Sequence, residues 1–147
     1  MQKLNLPSYH FKLKSKENKT LIFDIFRKKY VVLTPEEWVR QHFAVFLVEE
    51  KKYPITLIAI EKQLTINNLQ KRSDILIFNK LGKPDIIVEC KAPNVKITQD
   101  TFDQIARYNL KLKANFLAVT NGIQHFYCKM DFEKESYLFL KELPDYI

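Results

Sequence analysis

Glycine and cysteine are scarce in this sequence, and their scarcity excludes several kinds of site. Only two glycines, Gly82 and Gly122, occur in 147 residues, so there is no glycine-rich loop of the kind that cradles nucleotide phosphates. The two cysteines, Cys90 and Cys128, have neither CxxC nor CxxxH spacing, which argues against a zinc site and against a disulfide scaffold. The three histidines are scattered along the chain, so a histidine-rich metal site is not expected.

Long hydrophobic runs are also absent. No apolar run approaches the roughly 20 residues of a membrane-spanning helix, and residues 1–19 contain no continuous hydrophobic segment typical of a signal peptide. Hydrophobic residues make up 46% of the chain and charged residues 28%, which is the composition of a globular protein. We therefore expect a cytoplasmic protein without membrane association, folded as a single domain over residues 1–147.

The chain is basic overall, which bears on its partner. Lys and Arg outnumber Asp and Glu by 24 to 17, for a formal net charge of +7. Such an excess fits a polyanionic partner, and nucleic acid is the commonest one. A basic surface that only keeps the protein soluble explains the same composition equally well. Charge alone therefore leaves both readings open.

The N-terminal third predicts extended segments followed by a helix. The polar stretch 12–20 is predicted to be an exposed loop, and residues 21–33, rich in β-branched and aromatic side chains, are predicted to be extended. A helix is then predicted to start at Thr34 as N-cap, with Pro35 in its first turn and Glu37 as the partner in a capping box.

The remaining patterns predict strands on either side of a second helix. Turn residues between two of the strands indicate a hairpin, and the second helix has apolar residues at helical spacing. The predicted elements are strands at 55–61, 73–78 and 85–92, a helix at 97–114, a strand at 115–122 and another strand at 123–130. This order predicts an α/β fold with a mixed central β-sheet flanked by helices.

The segment RSDILIFNKLGKPDIIVECKAP contains charged residues among two apolar runs that form the predicted hairpin. If residues 79–84 form its loop, Phe78 pairs with Asp85. Asp74 and Glu89 then face each other on one side of the sheet, with Cβ atoms about 5 Å apart. A slip of one residue would move them to opposite faces, so the prediction depends on this register.

Two facing carboxylates repel each other unless a cation lies between them. Oxygen ligands at this density suit Mg²⁺, with Mn²⁺ as a substitute. Lys91, two residues beyond Glu89, projects from the same face, where it can orient an attacking water or stabilise negative charge in a transition state. The combination with Asp74 favours phosphodiester hydrolysis, whereas Glu-x-Lys alone would be explained as a solvent-facing pair at a strand edge.

The spacing of Asp74 from Glu89-x-Lys91 resembles the PD-(D/E)xK nuclease superfamily, with Ser73 in place of the usual proline. The segments PEEWVRQHF, KRSDILIF, IIVECKAP, QIARYN and TNG occur in this order within a motif-bearing core of roughly residues 33–125. In that order they resemble the N-terminal nuclease domain of type I restriction enzyme R subunits. The resemblance implies a restriction-endonuclease-like core.

The same resemblance implies a Mg²⁺-dependent DNA nuclease and assigns roles to its residues. Asp74 and Glu89 would be metal ligands and Lys91 the catalytic lysine. The first helix would supply one further metal-binding glutamate, for which Glu37 is preferred over Glu36. A purely structural role as a capping residue explains Glu37 equally well.

Further candidates flank this core. Gln104 and Tyr108 match the QxxxY motif of exonuclease-like branches of the superfamily, and they share a helix face. They would brace the catalytic lysine or contact DNA, unless they are simply an exposed pair on an amphipathic helix. Lys71, Arg72 and Arg107 are candidates for contacts to DNA phosphates, with solubility as the alternative.

Two functions remain open from the sequence. The first is a metal-dependent DNA nuclease. The second is a non-cleaving DNA-binding or assembly module of a restriction or repair complex that retains the nuclease fold. R subunits carry a helicase motor after this domain, so motor or specificity subunits supplied in trans are expected partners, together with DNA.

Two further residues near the hairpin have structural explanations. Glu61 is better explained as a strand-end charge than as part of the site, and Cys90 should point to the opposite face of its strand.

Overall fold

The computed structural model describes residues 1–66 and 68–147, which form two β-sheets and two α-helices. In chain order the elements are β1 (Leu13–Lys16), β2 (Lys19–Asp24), β3 (Lys29–Val32), α1 (Pro35–Glu49), a 3-10 turn (Ile55–Leu57), β4 (Ile58–Ile66), β5 (Leu69–Phe78), β6 (Pro84–Cys90), α2 (Gln99–Leu112), β7 (Phe116–Thr120), β8 (His125–Asp131) and β9 (Ser136–Leu140). None of the helices in these described ranges is long and apolar enough to cross a membrane.

The first three strands form a small antiparallel sheet in the order β1-β2-β3. Lys16 pairs with Lys19, and the two residues between them, Glu17 and Asn18, have φ of 51° and 65°. Positive φ at both positions of a two-residue turn matches the right-handed twist of a hairpin. The loop predicted over residues 12–20 is therefore wrong, because this tight turn lets its polar residues pair as strands, although their side chains are exposed as expected.

The larger sheet has six strands in the order β4-β5-β6-β7-β8-β9. Its β6–β7 pair is parallel, with α2 as the crossover between the two strands, and its other pairs are antiparallel. This is the mixed central sheet of the predicted α/β fold. The prediction of an α/β fold with a mixed central sheet and flanking helices is confirmed.

The two helices cover opposite faces of the larger sheet. Phe43 of α1 packs in a cluster with Ile75 and other buried residues, whereas Phe102 of α2 packs in a second cluster with Leu76. Neighbouring residues of β5 join different clusters because side chains alternate along a strand. Cys90 lies in the α1-side cluster, which confirms that it points away from Glu89.

The start of α1 agrees with the predicted cap, whereas α2 spans Gln99–Leu112, shorter by two residues at each end than the predicted 97–114. The side-chain oxygen of Thr34 accepts a hydrogen bond from the Glu37 backbone N–H at 3.0 Å, and Pro35 is the first helical residue. The second helix begins at Gln99, where the side chain of Thr98 caps it through the Thr101 N–H at 3.1 Å.

Strand ends differ from the prediction where tertiary pairing decides them. Residues 55–57 form the 3-10 turn rather than the start of a strand, while β4 continues to Ile66 and β5 already begins at Leu69. These residues extend one long β4–β5 hairpin beyond the apolar runs from which the strands were predicted. At the other end, β6 stops at Cys90, two residues short of the prediction over 85–92.

The register of the β5–β6 hairpin agrees with the prediction except at its loop. Ile75 pairs with Val88, as predicted, whereas Phe78 pairs with Pro84 and not with Asp85. The difference arises from an irregularity between Ile77 and Phe78 that shifts the register at the last pair. The displacement is confined to the loop end and does not reach the charged end of the hairpin.

Gly122 lies where the N-terminal segment closes over the β7–β8 turn. Its carbonyl accepts a hydrogen bond from the Asn5 N–H at 2.8 Å. Its φ is +87°, and a Cβ at this position would lie 2.8 Å from Leu4 Cδ2 and 3.0 Å from Val39 Cγ2. A side chain at this position would therefore meet both backbone strain and a packed core.

Replacing Gly122 by alanine should destabilise the protein more than replacing Gly82, which has φ of +78° and nothing within 4 Å of its Cβ position. Left-handed backbone costs about 1–2 kcal/mol in either variant, and overpacking adds about 1–3 kcal/mol for Gly122→Ala alone. Equilibrium unfolding in urea measures both losses, and equal losses would contradict this account of the Gly122 packing.

Candidate active site

Asp74 lies in β5, next to the point where β6 ends. The pairing of Ile75 with Val88, continued by one residue, brings Asp74 opposite Glu89. The Asp74 Oδ2 atom accepts a hydrogen bond from the Cys90 N–H at 2.7 Å, and its Oδ1 atom accepts one from Arg40 Nη2 at 3.0 Å. The predicted juxtaposition of the two carboxylates is therefore present in the structure.

Glu89 is buried, with 8% of its surface exposed. Burial, and secondarily the charge of Asp74, raise the pKa of Glu89 above its ordinary value, while Lys71 and Lys91 act in the opposite direction. Lys71 Nζ lies 3.0 Å from Glu89 Oε1, but this oxygen has no well-directed hydrogen bond. Burial outweighs this ionic contact, since the pKa of Glu89 is raised in spite of it. The Glu89 carboxylate is thus a buried group with Lys71 as its close cationic partner.

Lys91 lies directly beyond the end of β6. Its backbone N–H donates to the carbonyl of Thr120 at 2.8 Å, so the chain is still held against β7 at this point. The charge of Lys91 acts to lower the pKa of Glu89 and of Glu36. The ammonium group of Lys91 therefore acts electrostatically on the carboxylates of Glu89 and Glu36.

Arg40, a residue that the sequence did not single out, connects the carboxylates of this region. Its side chain is 7% exposed, and its Nη2 atom lies 2.9 Å from Glu36, 3.0 Å from Glu61 and 3.0 Å from Asp74. Its Nη1 atom donates to Glu37. Burial alone would lower the pKa of Arg40, but Glu37 and Asp74 raise it above its ordinary value, so the guanidinium remains charged.

Glu61 occupies the same level of the sheet as Asp74. The pairs Ile60–Ile75 and Lys62–Ser73 flank it on either side. Glu61 has φ of 56°, which is uncommon for a residue other than glycine and is found where surrounding contacts hold a strained backbone. Its prediction as a mere strand-end charge is wrong, because it lies inside β4 and contacts Arg40.

The two glutamates at the start of α1 have different surroundings. Glu37 is buried, and its carboxylate accepts hydrogen bonds from Arg27 Nη2 at 3.0 and 3.1 Å and from Gln41 Nε2 at 2.8 Å. Glu36 is half-exposed, and burial followed by the charge of Asp74 raises its pKa. Of the two, Glu36 is therefore the one exposed to the field of Asp74, and Glu37 reaches the site through Arg40.

The helix α2 contributes Tyr108 to the edge of the site. The ring centroid of Tyr108 lies 5.3 Å from Lys71 Nζ, and its hydroxyl donates to the Gln70 carbonyl at 3.3 Å. Tyr108, Lys71 and Glu89 line a common small cavity of about 20 Å³. Tyr108 thus acts on the site through Lys71, by a cation–π contact.

The other predicted residues lie further from the carboxylates. Gln104 is exposed, and within residues 1–66 and 68–147 it makes no hydrogen bond to the site. Arg107 is also exposed, and its charge acts to lower the pKa of Asp103. Arg72 is 63% exposed, with Nη1 3.6 Å from Glu61. Lys71 was predicted from the sequence to contact DNA. Its ammonium group instead lies 3.0 Å from Glu89 and is therefore part of the site.

Sequence reasoning missed Arg40 and underestimated Glu36 and Glu61. If the pairing of β4 with β5 had been predicted, Glu61 would have been placed level with Asp74. The polar residues between the two apolar runs gave no pattern from which to predict that pairing. Arg40 follows Glu36 at a spacing of four residues on a helix, which is a recognisable ion pair. Its contacts to β4 and β5, however, depend on how the helix docks.

Replacing Glu89 by glutamine should raise stability at neutral pH. Because the folded-state pKa of Glu89 lies above its ordinary value of 4.5, ionisation penalises the folded state above that raised pKa, and the penalty disappears as pH falls below about 4.5. Denaturant unfolding should give Glu89→Gln a higher midpoint than wild type at about pH 8 and a nearly equal one at about pH 4.5. Glu133→Gln, at an exposed position, is the control, and a Glu89→Gln gain that is independent of pH would refute the electrostatic explanation.

The chain is similar to a known family and to a solved structure. A family model described as the type I restriction enzyme R protein N terminus matches residues 35–144. None of the curated proteins gives a significant match. A solved structure from Anabaena variabilis, provisionally described as a nuclease belonging to DUF820, is similar over 93% of this chain and 80% of its own, with 14% sequence identity and a TM-score of 0.49.

Proposed function

This chain belongs to the family of type I restriction enzyme R protein N termini, and from this premise we propose that it is a Mg²⁺-dependent DNA nuclease domain. Membership confirms the resemblance inferred from the motifs and makes the chain a nuclease-type domain. The observation that carries the proposal is the buried Glu89 carboxylate opposite Asp74, with the charge of Lys91 acting on Glu89. In the proposed reaction water attacks a DNA phosphodiester bond.

The donor atoms around Asp74 and Glu89 fit Mg²⁺ or Mn²⁺. They are carboxylate oxygens, and the buried Glu89 Oε1 has a cationic contact, Lys71 Nζ at 3.0 Å, but no well-directed hydrogen bond. Within the described part of the chain, no three acidic, histidine or cysteine side chains form a ready metal cage. Mg²⁺ does not require one, since it keeps several waters and binds through one or two carboxylates plus substrate phosphate. When bound, the ion would lower the pKa of a water and neutralise charge on the phosphate.

The other side chains have proposed roles that follow from their positions. Lys91 would orient the attacking water or stabilise the negative charge of the transition state. Tyr108 would hold Lys71 against Glu89, and in this way keep the carboxylate oriented. The exposed Gln104, Arg72 and Arg107 remain proposals for contacts with DNA, in which the two arginines would bind phosphates without reading bases.

We propose Glu36, rather than the sequence-preferred Glu37, as the carboxylate that α1 contributes to the metal site. Glu36 is half-exposed and has one cationic partner, Arg40. Glu37 accepts hydrogen bonds from two arginines and a glutamine, and these partners satisfy its oxygens. A ligand must have a free oxygen, so the more open side chain is the better candidate.

The alternative, a DNA-binding or assembly module that does not cleave by itself, is favoured by one observation. Arg40 donates hydrogen bonds to Asp74 and Glu36, so its positive charge already compensates part of the acidic cluster. A motor or specificity subunit supplied in trans would then be needed to shift Arg40 and complete the site. The two proposals differ in whether the isolated chain cleaves DNA.

Replacing Asp74, Glu89 or Lys91 should abolish cleavage. We expect Asp74→Asn, Glu89→Gln and Lys91→Ala each to slow the nicking of supercoiled plasmid in Mg²⁺ by at least about a hundredfold. Lys83→Ala, at an exposed lysine, should nick at the wild-type rate. Calorimetric titration with Mn²⁺ should detect binding to wild type and not to Glu89→Gln.

The outcomes separate the two proposals. Metal binding without nicking by the wild type would support the module that awaits a partner. Nicking at wild-type rates by Glu89→Gln and Lys91→Ala would contradict an active site at these residues.

The neighbouring glutamates of α1 can be told apart by two conservative variants. Glu36→Gln should weaken Mn²⁺ binding about tenfold or more with little loss of stability, because Glu36 is half-exposed. Glu37→Gln should lower the free energy of unfolding by about 1–3 kcal/mol, since it removes one carboxylate partner from the buried Arg40 and from Arg27, and should retain Mn²⁺ binding at a temperature where it is folded. Calorimetry and urea unfolding measure both quantities, and the opposite pattern would restore Glu37 as the ligand.

A further inference from the structure

The positive charge of the chain is concentrated outside the segment matched by the family. Residues 1–33 contain eight Lys or Arg and two acidic residues, a net charge of +6 out of the total of +7. The matched residues 35–144 contain sixteen Lys or Arg and fourteen acidic residues, a net charge of +2. The basic character of the protein is therefore a property of its N-terminal strands.

The basic residues near the candidate active site are offset by carboxylates. Lys71 lies 3.0 Å from Glu89, and Arg72 lies 3.6 Å from Glu61. Arg40 is surrounded by acidic side chains. A site with this balance does not by itself attract a polyanion, so attraction for DNA has to come from another surface.

One face of the small sheet carries four of the six lysines in residues 12–29. The pairings of β1 with β2 and of β2 with β3 bring side chains of all three strands to this face, which we call the lysine face. Its residues are Lys12, Lys14, Lys16, Lys19, Leu21, Phe23, Tyr30 and Val32. On the reverse face Ile22 and Asp24 are fully buried, so the lysine face is the one turned to solvent.

Aromatic rings lie between these lysines. Lys14 Nζ lies 4.0 Å from the ring centroid of Tyr30, and Lys12 Nζ lies 5.8 Å from that of Phe23. The two rings are in edge contact, with centroids 5.1 Å apart. Among the residues of this face none is acidic, so its cations are not offset as those of the active site are.

We propose that the lysine face binds a single strand of DNA outside the active site, through the phosphates and with bases against the aromatic rings. This rests on the proposed function for the identity of the substrate. Lys12, Lys14 and Lys16 follow one strand at intervals of about 6.8 Å, close to the axial rise of two nucleotides in a stacked strand, about 3.4 Å each. Interleaved cations and aromatic rings on an open sheet are the features that bind single strands without sequence preference.

The sheet is also fixed relative to the active site. Arg27, in the turn between β2 and β3, pairs with Asp24 and donates hydrogen bonds to Glu37 at 3.0 and 3.1 Å. Glu37 in turn accepts from Arg40, which donates to Asp74. A strand held on the lysine face would therefore have a defined position relative to the carboxylates.

The test compares two variants with the same change in net charge. One carries Lys12→Gln, Lys14→Gln, Lys16→Gln and Lys19→Gln; the control carries Lys83→Gln, Lys129→Gln, Lys134→Gln and Lys141→Gln, all at exposed positions. Binding of a fluorescein-labelled oligothymidine is followed by anisotropy in EDTA, where no metal supports cleavage, over a range of salt concentrations. A duplex of mixed sequence is measured in parallel.

We expect the lysine-face variant to bind the single strand at least about tenfold more weakly than wild type. Its plot of log K against log salt should also be shallower by about 2.8, since four phosphate contacts are lost and each contributes about 0.7 to the slope. The control should retain the wild-type slope. Equal losses in both variants would overturn the proposal in favour of net charge alone, and a loss confined to the duplex would overturn the preference for a single strand. Tyr30→Leu, which keeps every lysine, should weaken single-strand binding alone.

This test is independent of the active site. Wild-type binding by the lysine-face variant, together with loss of nicking in Glu89→Gln, would refute the lysine face and leave the proposed nuclease standing. If the wild type never nicks DNA but the lysine-face variant loses single-strand binding, the lysine face is supported and the proposed nuclease is refuted.

Discussion

The buried guanidinium of Arg40 is the interaction on which the arrangement of the site depends. It joins α1 to β4 and β5 by contacting Glu36 and Glu37 on its own helix and Glu61 and Asp74 on the sheet. Carboxylates brought this close and partly withdrawn from water repel each other. A single delocalised cation with several donors offsets that repulsion and fixes the angle at which the helix meets the strands.

Arg40 does not compensate the charge of every carboxylate in the site. Glu89 lies beyond the reach of the Arg40 contacts, and its pKa is raised by burial and by Asp74 despite Lys71 and Lys91. Proteins rarely bury a carboxylate whose pKa is raised unless the group has a function, because desolvation of a charge costs on the order of several kcal/mol. A charge that lowers stability in the free protein is well suited to hold a cation when one arrives.

The molecule thus separates two electrostatic tasks. The larger sheet gathers acidic residues whose charge is offset in part by arginine and lysine within the fold, and the small N-terminal sheet presents lysines with no acidic residue on their face. Both are needed by a protein that acts on a polyanion through a carboxylate site, since the site itself repels its substrate. The Arg27–Glu37 ion pair, which joins the two regions, lies partly outside the segment shared with the family.

Local rules were enough to predict much of this molecule. The cap at Thr34 and the alternation that sets Asp74 opposite Glu89 depend on residues close in sequence, where capping, period-two burial and turn chemistry act directly. The partners of Arg40 and the place of Glu61 could not be read in the same way. The partners of Arg40 depend on how α1 docks onto β4 and β5, which follow it in the chain. The place of Glu61 depends on the β4–β5 hairpin, whose outer half is polar and has no hydrophobic pattern from which to predict the pairing. The sequence by itself determined the start of α1 and the register of the β5–β6 hairpin at its charged end. Only the tertiary structure decided which charges meet across elements, because those contacts arise from packing and not from local pattern.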